Sequence, residues 1–161
     1  MTDTQLTDAG RADIRLTVNG REVVASVEPQ LLLLDFLRER LDLTGAKRSC
    51  DVQVCGTCTV LVDNRPVSAC TYLALEAEGR EVLTIEGFAE TPEFARFARA
   101  FTRHAAVQCG YCTPGFLLTL KSLRDAGELE SEDDIRHGLD GNVCRCTGYR
   151  AILDAARDLV G

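Results

Sequence analysis

What this sequence lacks narrows it quickly. Its longest run of leucine, Leu31 to Leu34, falls far short of the about 20 apolar residues a membrane-spanning helix needs. The first residues, Met-Thr-Asp-Thr-Gln-Leu-Thr-Asp-Ala-Gly-Arg, show no basic region followed by an apolar one, so no signal peptide is expected. Excess positive charge is missing as well. With 18 Lys and Arg against 25 Asp and Glu, the formal charge is −7, which argues against nucleic acids and anionic membrane surfaces as partners. The chain has no Gly-rich phosphate loop, no base–nucleophile pair, no internal repeat and no low-complexity segment. Only two histidines occur, His104 and His137, and both are expected to be ordinary surface or partly buried residues.

Cysteine is what the sequence has in quantity: 8 in 161 residues. Without a signal peptide the expected compartment is the reducing cytoplasm, where clustered cysteines are metal ligands more often than disulfides. They divide into two quartets with none left over. Cys50, Cys55 and Cys58 stand at C-x4-C-x2-C spacing and Cys70 follows a Val-rich run; this is the plant-type ferredoxin spacing for a [2Fe–2S] cluster. Gly56, between ligands, would let backbone N–H groups approach the sulfurs. Zinc knuckles, built as two C-x2-4-C pairs, match this quartet poorly. Cys109, Cys112, Cys144 and Cys146 form a C-x2-C and a C-x-C pair, a spacing that by itself leaves both a cluster and zinc open. A Rieske centre needs two histidine ligands, and neither histidine sits in a Cys-x-His arrangement. On the usual formal charges an oxidised four-thiolate [2Fe–2S] unit carries −2, so two would take −7 to about −11.

Along the chain, residues 1–12 are polar and aperiodic, and a mobile tail is expected. Ile14, Leu16 and Val18 alternate with polar residues up to Asn19-Gly20, and Val23 to Val27 continue beyond, which is a hairpin signal. Leu33, Leu34, Phe36, Leu37 and Leu41 fit one face of a helix running from Leu31 to Leu41. Thr59 to Val62 and Val67 to Cys70 predict a second hairpin turning at Asp63-Asn64-Arg65-Pro66, and Glu81 to Ile85 a last strand. After Gly87 the period becomes helical. Helices are expected over Pro92–Arg103, from Thr113-Pro114 to Gly127, from a capping box at Ser131 and Asp134, and over Tyr149–Val160. The division is therefore a domain over 13–87 and a helical domain over 88–161, with the second quartet in helix-connecting loops.

Three motifs in order now carry a specific resemblance: Cys50-x4-Cys55-Gly-Thr-Cys58-Thr-Val, Gln108-Cys-Gly-Tyr-Cys-Thr-Pro-Gly115 and Asn142-Val-Cys-Arg-Cys-Thr-Gly-Tyr149. The chain resembles, from about Ile14 to Leu159, the iron–sulfur subunits of the molybdenum hydroxylases, the family of xanthine dehydrogenase, aldehyde oxidoreductase and carbon monoxide dehydrogenase. The resemblance implies an α+β fold: a plant-type ferredoxin-like (β-grasp) N-terminal domain followed by a small four-helix bundle domain, each with one [2Fe–2S] cluster. It implies that Cys109, Cys112, Cys144 and Cys146 hold the cluster nearest the molybdopterin of a large subunit, with Gln108 and Cys146 contacting the pterin. Cys50, Cys55, Cys58 and Cys70 would hold the cluster facing FAD on a medium subunit, the implied assembly being a dimer of heterotrimers. Electrons would pass from the molybdenum site through both clusters to FAD. The alternatives are a free-standing ferredoxin-like carrier and a zinc-stapled interaction module.

Flanking residues are read more plainly. Lys47 and Arg48 are expected to be solvated rather than to offset cluster charge. Arg145 either offsets that charge or pairs with a surface carboxylate, and Tyr111 and Tyr149 are expected to pack with a hydroxyl partner each. Gln53 departs from many family members, which carry glycine there; a glutamine disfavours φ > 0 and bears on that cluster's potential.

Overall fold

The computed structural model describes residues 10–160. Most of the expected tail, residues 1–9, lies outside them, and Ala12 already opens the first strand. β1 (Ala12–Val18) and β2 (Arg21–Val27) pair antiparallel from Val18↔Arg21 outward. Asn19 and Gly20 both take positive φ, 51° and 75°, the conformation that closes a two-residue hairpin. Ala12, Ile14, Leu16 and Val18 are buried on one face of β1, as their alternation requires.

The Leu-rich segment departs from its expected helix. Helical structure covers α1 (Leu33–Asp35) and a π-helical turn, Phe36–Arg40. The preceding backbone is diverted into pairing with a distant segment. Leu33 N donates to Tyr72 O at 2.7 Å, and Ala74 N to Leu31 O at 2.8 Å. The first bond uses an N–H that a first helical turn would leave unsatisfied, and the second takes the Leu31 carbonyl that a helix starting there would need for its own ladder. Leu33, Leu34, Phe36 and Leu37 are nevertheless fully buried.

β3 (Thr59–Val62) and β4 (Arg65–Ser68) form the second hairpin. Its turn is tighter than expected: Asp63 and Asn64 alone, at φ 48° and 62°, make it, and Arg65 and Pro66 are already in β4. Pro66 is tolerated because β4 is an edge strand in the sheet order β2-β1-β5-β3-β4. β5 (Glu81–Leu83) runs parallel to β1 and antiparallel to β3. It stops two residues short of the expected Ile85, because Thr84 precedes a short helix, α2 (Ile85–Ala89).

The remainder is helical: α3 (Phe94–Arg103), α4 (Thr113–Asp125), α5 (Glu132–Gly138) and α6 (Arg150–Arg157). The Ser131–Asp134 capping box is formed, with Asp134 N donating to Ser131 Oγ at 3.2 Å and Ser131 N to Asp134 Oδ2 at 2.8 Å. Phe88 packs edge-on against Phe94 and Phe97, with centroids 5.4 and 5.1 Å away, a favourable geometry for aromatic quadrupoles.

Two hydrophobic cores result, one under the sheet and one among the helices. They meet at α4, whose residues Gly115 to Leu120 are all buried. Every residue of β3 is buried too: Val60 and Val62 belong to the sheet core and Leu61 to the helical one. Ser122 Oγ, on α4, donates to Asn64 O in the β3–β4 turn at 2.7 Å. None of the described helices is long and apolar enough to cross a membrane.

Candidate metal centres

The first quartet sits on a tightly coiled loop. Asp51, Gln53 and Gly56 all adopt left-handed backbone, with φ 57°, 61° and 67°, so successive amides turn inward as an anion-binding nest. Val54 N donates to Cys50 Sγ at 3.4 Å. The amides of Val52, Val54 and Cys55 hold the Cys50 thiol down to about 6, because donors aimed at sulfur favour the thiolate. Thr57 Oγ1 lies 3.2 Å from Cys55 Sγ. Cys58 and Cys70 meet across the second hairpin, whose register pairs Thr59 with Ser68 and leaves the two cysteines just beyond the ladder. Burial pushes the Cys58 thiol up to about 12.

The second quartet is assembled from two loops. Cys109 and Cys112 lie between α3 and α4, Cys144 and Cys146 between α5 and α6. Cys146 Sγ is 3.5 Å from Cys109 Sγ. Burial raises the Cys112 thiol to about 12, and its hydrogen bond with Cys144 adds to that. Burial would also raise Cys144, but Thr147 outweighs it and the thiol is lowered: Thr147 Oγ1 donates to Cys144 Sγ at 3.1 Å and Thr147 N at 3.4 Å. Tyr149 takes φ 69°, unusual for a bulky residue, and its hydroxyl accepts from Cys144 N at 3.1 Å.

Both quartets share one plan. Cysteines associate two by two: Cys50 with Cys55, Cys58 with Cys70, Cys109 with Cys146 and Cys112 with Cys144. In each quartet one pair is buried, Cys58/Cys70 and Cys112/Cys144, and the other is more open. Among the described residues no three His, Cys, Asp or Glu side chains converge on a single-ion position. A structural zinc wants four donors around one point; a two-iron centre wants two thiolates on each iron. The paired donor set fits the second.

The quartets are linked by a close seam. Val143 N donates to Cys55 O at 2.9 Å, and Tyr111 Oη donates to Arg48 O at 2.6 Å. Buried Asn142 lies beside Gly56. A Cβ on Gly115 would overlap the Gly56 carbonyl oxygen, and one on Gly56 would overlap Asn142 and the Gly141 carbonyl, so both positions require glycine.

Other flanking residues fall on both sides of expectation. Arg48 is exposed and pairs with Asp35 and Asp51, each at 2.5 Å. Lys47 is not solvated as expected: it is half-buried over the Tyr111 ring, a contact across the seam that no local pattern announces. Arg145 is exposed and, among the described residues, has no carboxylate partner. Gln108 is exposed beside Cys109, likewise without a hydrogen-bond partner among the described residues. His104 pairs with Asp158, and His137 Nδ1 lies 2.8 Å from Asp133 O, neither near a quartet. The roles of Thr57 and Thr147 were missed; a threonine two or three residues after a ligand cysteine is the available signal.

Two arrays of paired thiols on adjoining domains define an iron–sulfur protein of the electron-transfer class. Comparison with known proteins makes this more particular. A family described as a 2Fe-2S iron-sulfur cluster binding domain matches residues 16–84, and one described as a [2Fe-2S] binding domain matches residues 84–157. The beta subunit of the 6-hydroxypseudooxynicotine dehydrogenase complex of Paenarthrobacter nicotinovorans is 44% identical, over 89% of this chain and 92% of its own. The nicotinate dehydrogenase small FeS subunit of Eubacterium barkeri is 42% identical over 89% and 92%. The structure of quinoline 2-oxidoreductase from Pseudomonas putida 86 superposes with a TM-score of 0.85 at 42% identity, covering 91% of both chains. The chain belongs to the iron–sulfur small subunits of the molybdenum hydroxylases. It is an electron-transfer subunit of an oxidoreductase complex and carries two [2Fe–2S] domains.

Proposed function

We propose that Cys50, Cys55, Cys58 and Cys70 hold one [2Fe–2S] cluster and Cys109, Cys112, Cys144 and Cys146 the other. The two-by-two association of the thiols carries this reading. When bound, such a cluster supplies a one-electron relay between two-electron partners. This chain's residues present donors to the sulfurs, exclude water from the buried pairs and fix the spacing of the quartets through the seam. The N-terminal unit is read as 13–87 and the C-terminal one, 88–161, as a four-helix bundle of α3 to α6, with α2 as its connection to the sheet.

The C-terminal quartet is assigned to the molybdopterin side and the N-terminal one to the FAD side, in a cytoplasmic dimer of heterotrimers. Exposed Val107 and Tyr111 flank Cys109, and exposed Val52 and Val54 lie within the first ligand loop. Apolar side chains left open beside each site fit two separate subunit contacts. Gln108, with a donor and an acceptor at one exposed tip, is assigned to the pterin edge together with Cys146. Substrate choice lies with the large subunit.

The purified complex is expected to contain about four iron and four acid-labile sulfide per copy of this chain. Cys58→Ser is expected to erase one paramagnetic signal and leave the other. Stoichiometric zinc without labile sulfide, or loss of both signals in an assembled variant, would overturn the assignment. Gln108→Ala is expected to slow substrate-driven reduction of the clusters while iron content stays unchanged. A wild-type rate would remove Gln108 from the pterin contact.

A further inference from the structure

We propose that Lys47 is the shared countercharge of the two quartets, setting the reduction potentials of both centres and easing their simultaneous reduction. The inference rests on the reading that both quartets hold clusters.

Lys47 belongs to the N-terminal ligand loop by its backbone. Lys47 N donates to Thr57 O at 3.0 Å, and Thr57 Oγ1 donates to Lys47 O at 3.1 Å while lying 3.2 Å from Cys55 Sγ. Its side chain reaches the other loop. Nζ stands 5.5 Å from the centroid of Tyr111, the residue immediately before Cys112, and donates to Gly45 O at 2.7 Å. Lys47 thus spans the seam: its backbone is bonded into the first ligand loop, and its ammonium lies over the residue that precedes Cys112.

Its charge balance is unusual. Burial lowers the Lys47 pKa, and Arg38 adds to that, while Glu86 and Cys112 oppose it. Arg38 is committed to the carbonyls of Thr44 and Ala46, at 2.7 Å each, and Glu86 to Gly45 N at 2.7 Å and Thr84 Oγ1 at 2.6 Å. These two neighbours offset each other in sign. Among the described residues Lys47 forms no ion pair within 4.0 Å. A half-buried ammonium without a carboxylate is costly unless other negative charge compensates it. Of the thiols, Cys112 acts directly on the Lys47 charge, while the first quartet is joined to Lys47 through Thr57 and Cys55. Each oxidised [2Fe–2S] unit would carry a formal −2 and gain one more negative charge on reduction. A fixed cation near both therefore favours the reduction of each through its own attraction for each added electron, and so raises both potentials together.

The test is a redox titration of the assembled complex, following the two paramagnetic signals separately. Lys47→Gln is expected to lower the equilibrium constant for reduction about tenfold at both centres, about 59 mV for a one-electron couple, and more at the C-terminal one. Lys47→Arg keeps the charge and is expected to keep most of both potentials. Glu86→Gln removes the facing negative charge and should move both potentials upward, which exposes the proposal even if Lys47→Gln fails to assemble. Unmoved potentials in Lys47→Gln, or in Glu86→Gln where the first variant does not assemble, would make Lys47 a packing residue and overturn the inference. Absence of two signals in the wild-type complex would instead sink the cluster assignment itself.

Discussion

The two quartets solve one chemical problem with opposite economies of chain. In the N-terminal site one loop brings three cysteines together, and left-handed turns at Asp51, Gln53 and Gly56 aim its amides at sulfur. Only Cys70 arrives from elsewhere, carried by the β3–β4 hairpin. In the C-terminal site each pair, Cys109/Cys146 and Cys112/Cys144, joins segments separated by the whole of α4 and α5. The first is a local structure that needs a hairpin. The second exists only when helices have packed. Bringing distant segments together costs more chain entropy than closing a short loop, so the C-terminal site should depend more on global stability.

The comparison breaks most completely where the two sites touch. In an open helix Gly→Ala stabilises by about 1 kcal/mol. At Gly115 the added methyl would overlap the Gly56 carbonyl, and we expect Gly115→Ala to destabilise by about 3 kcal/mol instead. Denaturant unfolding should show the loss, and iron analysis should show both sites depleted; depletion of one alone would mean that the seam yields.

A smaller effect separates the sites. Cys144→Ser releases the 142–149 loop from α4, whereas Cys50→Ser opens a loop that is already exposed. The unfolding free energy of the assembled chain should fall further for Cys144→Ser, by about 1–2 kcal/mol. Equal losses would show that the local and the assembled site are equally coupled to folding.

Gln53 sharpens the N-terminal half. Its φ of 61° is a conformation that glycine adopts freely, and its amide oxygen accepts weakly from Thr71 Oγ1, at 3.4 Å beside Cys70. Gln53→Gly should change stability by no more than about 1 kcal/mol. It should shift the midpoint of the N-terminal centre while leaving the other in place, as redox titration would reveal.

The smallest expected effect lies far from both sites. His104, and then Arg103, hold the Asp158 carboxylate below its ordinary value of 3.8. A lowered folded-state pKa gives stability that is present above the unfolded value and lost as pH falls through the folded one. Asp158→Asn should therefore lower stability slightly near neutral pH, where that contribution is present, and leave it little changed well below about pH 4, so that the acid limb of the stability curve flattens. An unaltered acid limb would show that this exposed cluster contributes nothing.

Much of this was legible in the chain. The Asn19-Gly20 turn and the Ser131–Asp134 box both follow from local chemistry, and local chemistry is what a sequence displays. The Leu-rich segment misled because its first residues pair with Tyr72 and Ala74, some forty residues later; helical spacing describes its buried face correctly but not its backbone. Lys47 misled for the same reason. Its environment is made by Tyr111, and only packing puts the two together. The pairing of thiols within each quartet was likewise invisible to spacing.

The hydrogen bond from Val143 N to Cys55 O has one more consequence. From the sulfur of Cys55 to the sulfur of Cys144 one can travel along covalent bonds and this single amide–carbonyl step. Apart from the two cysteine side chains, every atom on that route is main chain. Natural variation can replace the exposed Val143 side chain, recharge the surface or exchange subunit partners without lengthening the route. A conduit written in backbone is insulated from side-chain replacement along it, so long as the glycines of the seam are kept. The rate between the two sites should therefore drift far less among relatives than the potentials at either end.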